Sequence, residues 1–284
     1  MIQCVISSGA ALASLEAGQA RQEKLSHRRE PPAAAQVTAA GPPVKQSRTL
    51  PRPAMSVRRD LLDTLFFGRD PFAGFPFQDT PRDLQGWHSG HPYLSRAIEQ
   101  VRPRVVVEVG VWKGASVVTM ARAMQRLKLD GVIIAIDTWL GSAEHYKEKF
   151  IADMDFEFGH PRLYRKFLAN ICHEGLTDYV VPLPLDSINA YELLKQRGVR
   201  PDVLHIDAGH DYASVMADLQ AWWPQLTPGG VLIGDDYFKA GFVQGLIGKE
   251  KWPEVRQAFD EFFAANAHTV FESGDGKCYV GKPR

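Results

Sequence analysis

Long apolar runs are missing from this chain of 284 residues. No stretch approaches the ~20 residues that a helical membrane span needs, so membrane partners are not expected. Net charge is missing too, with 33 Lys and Arg against 33 Asp and Glu. A nucleic-acid partner is therefore not expected, since such proteins carry a basic excess. Cysteine is scarce: Cys4, Cys172 and Cys278 stand far apart and form no CxxC or metal-ligand spacing. This usage fits a reducing, cytoplasmic compartment without structural disulfides. The GxGxxG fingerprint of NAD enzymes is also absent.

What remains is an ordinary globular composition, 45% hydrophobic and 23% charged. Residues 1–55 differ from the rest. Ala, Pro, Gln, Ser and Arg dominate, and the segment reads as a disordered tail. Residues 1–60 hold nine Lys and Arg against four Asp and Glu, and the remainder carries the opposite excess. The tail reads either as a targeting peptide or as a misassigned start with Met55 opening the protein. Glu16, Glu23 and Glu30 speak against the first. Residues 56–67 suggest a short amphipathic helix. A Phe-rich segment with Phe72, Phe75 and Phe77 follows, read as packing, a lid or a subunit contact. Residues 56–90 thus form a preface to a domain spanning 91–284.

From residue 91 the pattern alternates. Continuous apolar runs at 104–110, 131–137, 179–185, 202–207 and 231–235 read as buried parallel strands. Helical spacing separates them. Two strands around Gly274-Asp275-Gly276 read as a terminal hairpin. The fold class is α/β: a doubly wound, Rossmann-like seven-stranded sheet with an antiparallel C-terminal hairpin. Residues 138–159 are too long for a simple connection and read as a functional loop or lid helix.

The chemistry gathers at residues 202–237. Val203 to Ile206 ends at Asp207, and Val231 to Ile233 leads to Asp235 and Asp236. If these strands are neighbours, their carboxyl ends lie roughly 5 Å apart, where open α/β sheets bind ligands. A lone aspartate after a strand is usually a helix cap or a turn residue. Three so close repel one another unless a cation sits between them, and oxygen ligands suit Mg²⁺, Mn²⁺ or Ca²⁺ better than zinc. Gly110 and Gly114 in the turn after the first strand let a ligand approach the backbone. Glu108 before them would repel a pyrophosphate but suits a cationic or amino group. Asp137 ends the second strand and is placed to accept ribose hydroxyls, with Asp186 and Ser187 toward an adenine amino group. Helix capping is the plainer reading of each. His205 lies inside a strand and reads as structural.

The segments EVGVWKGAS, AIDTW, LPLDS, HIDAGHDY and GVLIGDDY, in this order, resemble the class I S-adenosylmethionine-dependent methyltransferases. More narrowly they resemble the methyltransferase domain 24 group, which is similar to metal-dependent sugar O-methyltransferases. The resemblance runs from about Trp87 to the C-terminus. It implies a cofactor, S-adenosylmethionine, held by Glu108, Gly110, Gly114, Ser116, Asp137, Asp186 and Ser187. It implies Mg²⁺ or Mn²⁺ on Asp207, Asp235 and Asp236, with His210 as general base. The expected reaction is O-methylation of a small molecule, a sugar or a phenolic compound. A metal-dependent hydrolase and a non-catalytic nucleotide-binding module are the alternatives. The implied partner is a hydroxyl-bearing acceptor, and a homo-oligomer is left open.

Overall fold

The computed structural model describes residues 56–241 and 251–284. The tail expected at residues 1–55 lies outside the described residues.

Seven strands form one sheet in the order β5-β2-β1-β6-β7-β9-β8. They are β1 (Val105–Val109), β2 (Val132–Ile136), β5 (Val180–Leu183), β6 (Val203–Ile206), β7 (Val231–Gly234), β8 (Val270–Gly274) and β9 (Lys277–Gly281). The first five are parallel, and β9 runs antiparallel to both β7 and β8. Every connection between parallel neighbours carries a helix, as a parallel crossover requires. The hairpin turns at Asp275 and Gly276, both at positive φ (48° and 82°), matching the right-handed strand twist.

Eight α-helices stand among the described residues. Four cover one face: α1 (Val57–Phe66), α6 (Ser187–Gln196), α7 (Tyr212–Gln225) and α8 (Pro253–Ala265). They bury Val107, Val109, Ile134, Leu204 and Leu232. Three cover the other: α2 (Pro92–Val101), α3 (Ala115–Arg126) and α5 (Leu163–His173), over Val106, Ile133, Val203 and Ile233. Successive residues of each strand thus serve opposite faces, which is why the strands read as unbroken apolar runs.

Residues 138–159 do not form a lid helix. They make short 3₁₀ turns, a single helical turn α4 (Ile151–Met154), and β3 (Phe156–Glu157), which pairs with β4 (His160–Pro161). Gly141 and Gly159 at positive φ interrupt any longer helix. The Phe-rich segment packs on the domain. Phe72 joins the core, and Phe77 packs edge-on against His173 of α5 at 5.0 Å.

Candidate functional site

Strands β1, β6 and β7 are hydrogen-bonded neighbours, so their carboxyl ends converge. Gly110 follows β1 at φ 83°, and a Cβ there would collide with the Asp207 carbonyl of the adjacent strand end. Only glycine fits this close approach. Asp137 fixes the turn: one carboxylate oxygen accepts from the N–H groups of Val111 and Trp112 (2.8 and 2.9 Å), the other from Trp139 N–H (2.7 Å). Glu108 is fully buried. It accepts from the Ser116 hydroxyl and faces His205 Nδ1 at 3.3 Å, while its Oε2 has no hydrogen-bond partner among the described residues.

The acids divide into two sets. In the inner set, the buried Lys277 ammonium from β9 donates to Asp235, and His205 Nε2 lies 3.8 Å from the same carboxylate. Burial alone would raise the Asp235 pKa; Lys277 and His205 hold it below the ordinary carboxylate value. Burial and the neighbouring Asp235 charge push the Asp207 carboxyl well above the ordinary carboxylate value. In the outer set, His210 stands between two carboxylates. Its Nε2 is 2.9 Å from Asp236 and its Nδ1 is 3.0 Å from Glu144. Burial alone would lower its pKa, yet Asp236 and Glu144 raise it. Trp252 stacks on the imidazole at 4.1 Å, and Lys251 lies 3.2 Å from Asp236.

These groups open into a cavity of about 700 Å³, a size that suits a small-molecule site. Gly110, Asp137, Asp207 and His210 line its floor. Gln85, Gly86 and Trp87 form one wall, and residues 141–150 another. Trp112 sits between these walls, stacked on His145 at 4.3 Å and 6.2 Å from both Trp87 and Phe150.

The structure brings Gly110, Ser116, Asp137, Asp207, His210, Asp235 and Asp236 to the cavity, with Glu108 just behind Ser116. Three of the expected cofactor residues lie elsewhere. Gly114 is needed for packing, since a Cβ there would come within 2.8 Å of Phe167. Asp186 is the N-cap of α6, accepting from Ile188 and Asn189 N–H at 3.1 and 3.0 Å. Ser187 donates to buried Asp218 and accepts from Trp222 Nε1. Neither Asp186 nor Ser187 lines the cavity. Asp235 has the Lys277 ammonium beside it, and its carboxylate also lies within 4.8 Å of donor atoms of His205 and Asp207.

A divalent cation fits where Asp207 meets the outer pair, His210 and Asp236. Donor atoms of Asp207, His210 and Asp236 lie within 4.8 Å of one another. A cation there would offset the Asp235 and Asp236 charges that, after burial, push the Asp207 carboxyl up. The turn also fits a cationic, amino-bearing ligand, through the orphaned Glu108 oxygen behind Ser116 and the Gly110 backbone at the cavity. Sequence reading missed Glu144, Trp252 and Lys277. Glu144 lies 66 residues before the histidine it meets, and Lys277 reads as an ordinary hairpin lysine.

Residues 107–237 match a family model described as "Methyltransferase domain". A curated relative, protein y4gI of Sinorhizobium fredii, is 28% identical over 152 residues, 53% of this chain. The matched stretch spans only 15% of that relative's length. Among solved structures, an O-methyltransferase from Bacillus cereus in complex with SAH is 18% identical, with a TM-score of 0.47. That alignment covers 80% of this chain and 98% of that one. The O-methyltransferase TomG of Streptomyces achromogenes, in complex with SAM, is 15% identical with a TM-score of 0.49, over 81% and 97% of the two chains. The residues that match the methyltransferase-domain model, 107–237, carry the Gly110 turn, Asp137, Asp207, His210 and the Asp235-Asp236 pair.

Proposed function

We propose that the chain is an S-adenosylmethionine-dependent O-methyltransferase that methylates a hydroxyl of a small molecule, a sugar or a phenol, with help from a divalent cation. One observation carries the reading. The Asp207–His210–Asp236 cluster and the Gly110 turn open into the same cavity. A methyl donor held at the turn and an acceptor held at the cluster therefore share one cavity.

Asp207 and Asp236 would hold Mg²⁺ or Mn²⁺ with His210 beside it as the base, and the cation's chemistry there is to polarise a bound hydroxyl and lower its pKa. Methyl transfer from a sulfonium needs little beyond alignment and a competent nucleophile. Gly110 and the Asp137-pinned amides give the donor its seat. Glu108 offers its free oxygen to the donor's amino end. His210, once neutral, takes the acceptor proton, leaving oxygen to attack the methyl group as the sulfonium becomes a thioether. Trp252 stacks on His210 and holds the ring plane fixed. Calorimetry with S-adenosylhomocysteine tests the reading: micromolar binding is expected, and no heat on folded protein would remove the assignment. Turnover at full rate in excess chelator would remove the cation from it.

A further inference from the structure

We infer that Lys113 is a positioning residue: its buried ammonium ties both walls of the cavity to the turn after β1. Lys113 is 1% exposed although it lies in a loop between two cavity-facing positions. A buried lysine is costly unless every donor is matched. Here the three donors meet three acceptors: Asp83 at 2.5 Å, Asp153 at 2.6 Å and Gln85 at 3.0 Å.

The acceptors come from two separate segments. Asp83 and Gln85 begin the wall that continues through Gly86 and Trp87. Asp153 lies in α4, just after His145 and Phe150 on the other wall. Asn170 of α5 reinforces the first wall: its Nδ2 donates to the carbonyls of Asp83 and Lys113 (2.9 Å each), and its Oδ1 accepts from Asp83 N–H. Lys166 reinforces the second by donating to the carbonyls of Ala152 and Asp153. Neither wall segment beside the cavity has a regular helix longer than one turn to hold it. Lys113 sits next to Trp112, whose ring meets Trp87 from one wall and His145 and Phe150 from the other. Losing the ammonium leaves Asp83 and Asp153 unpaired and mutually repelling. Both are partly exposed, so they can swing to water and carry the walls apart.

The test uses full-length protein labelled with fluorotryptophan, without ligand, so it stands apart from the proposed reaction. The six tryptophan resonances are assigned by single Trp→Phe changes. Lys113→Met should move the Trp87 and Trp112 lines toward the solvent-exposed position and leave core Trp222 and Trp223 in place. Binding of S-adenosylhomocysteine should weaken on the order of tenfold, because the formed pocket is populated less. Unmoved Trp87 and Trp112 lines overturn the inference. So does equal movement of all six, which would make Lys113 a plain packing residue. If Lys113→Met does not fold, Asp83→Asn and Asp153→Asn serve instead. The first should move chiefly Trp87 and the second chiefly Trp112, and silence in both overturns the inference. An unchanged affinity in a variant whose lines have moved overturns it as well.

Discussion

Asp235 and Asp236 are sequence neighbours with opposite surroundings. Asp235 is buried against Lys277, whereas Asp236 faces His210 and Lys251 at the cavity. Asp235→Asn leaves the Lys277 ammonium buried without its counter-charge, which costs about 3–5 kcal/mol. Chemical denaturation should read that loss. Asp236→Asn should keep stability within about 1 kcal/mol and abolish Mn²⁺ binding by calorimetry. The reverse pattern would restore Asp235 as the ligand. His210 gives a pH prediction. Asp236 and Glu144 overcome burial to raise its pKa, so the neutral, proton-accepting form appears only as pH climbs past that raised value. The acid limb of kcat/KM should therefore lie above about 6.5, the ordinary imidazole value. His210→Ala should remove the limb and cut turnover about 10²–10⁴-fold. A limb at or below 6.5 would place the base elsewhere.

Among the elements, the parallel strands were legible because burial on both faces leaves a continuous apolar run at each, as in Val105–Val109. The terminal hairpin was legible from its Gly-Asp-Gly turn. Residues 138–159 were not, because their structure is made of short turns with no period to detect. Asp186 and Ser187 were placed at the cofactor from their position at the end of the third strand and from the motif resemblance. Their surroundings show helix-capping and packing, including the contact of Ser187 with Asp218 on α7. Asp218 is pushed up to about 6 by burial, with the Ser187 hydroxyl opposing. The sign of its effect follows. Below about pH 4 the acid is neutral folded or unfolded, so burial costs nothing. Between about pH 4 and 6 the unfolded chain releases the proton more readily, and stability falls as pH rises. Asp218→Asn keeps an acceptor for Ser187 and removes the charge. It should stabilise the fold by up to about 3 kcal/mol at pH 7 and leave it unchanged at pH 3.5. Equal gains at both pH values would point to packing rather than charge.

At the scale of the molecule, the site exists because β1, β6 and β7 are adjacent and parallel while Lys277 arrives from the antiparallel β9. The first fact could be read from strand order and apolar runs. The second could not, since a lysine 42 residues beyond its aspartate meets it only once the hairpin folds back against β7. That wiring makes ligand binding and global stability one equilibrium. A ligand bound only by the folded chain at 100 times its Kd adds about 2.7 kcal/mol. In a domain of this size that raises the melting temperature by roughly 5–10 °C. S-adenosylhomocysteine should give this shift and NAD⁺ none, because the turn pairs an acid with a bare backbone instead of a pyrophosphate cradle. Mn²⁺ should add a separate increment that a chelator reverses and Asp236→Asn abolishes. If NAD⁺ stabilises the protein as strongly as S-adenosylhomocysteine, the Gly110 turn recognises a general nucleotide and the methyl-donor assignment fails. If Mn²⁺ acts equally on Asp236→Asn, the cation sits outside the outer acid set.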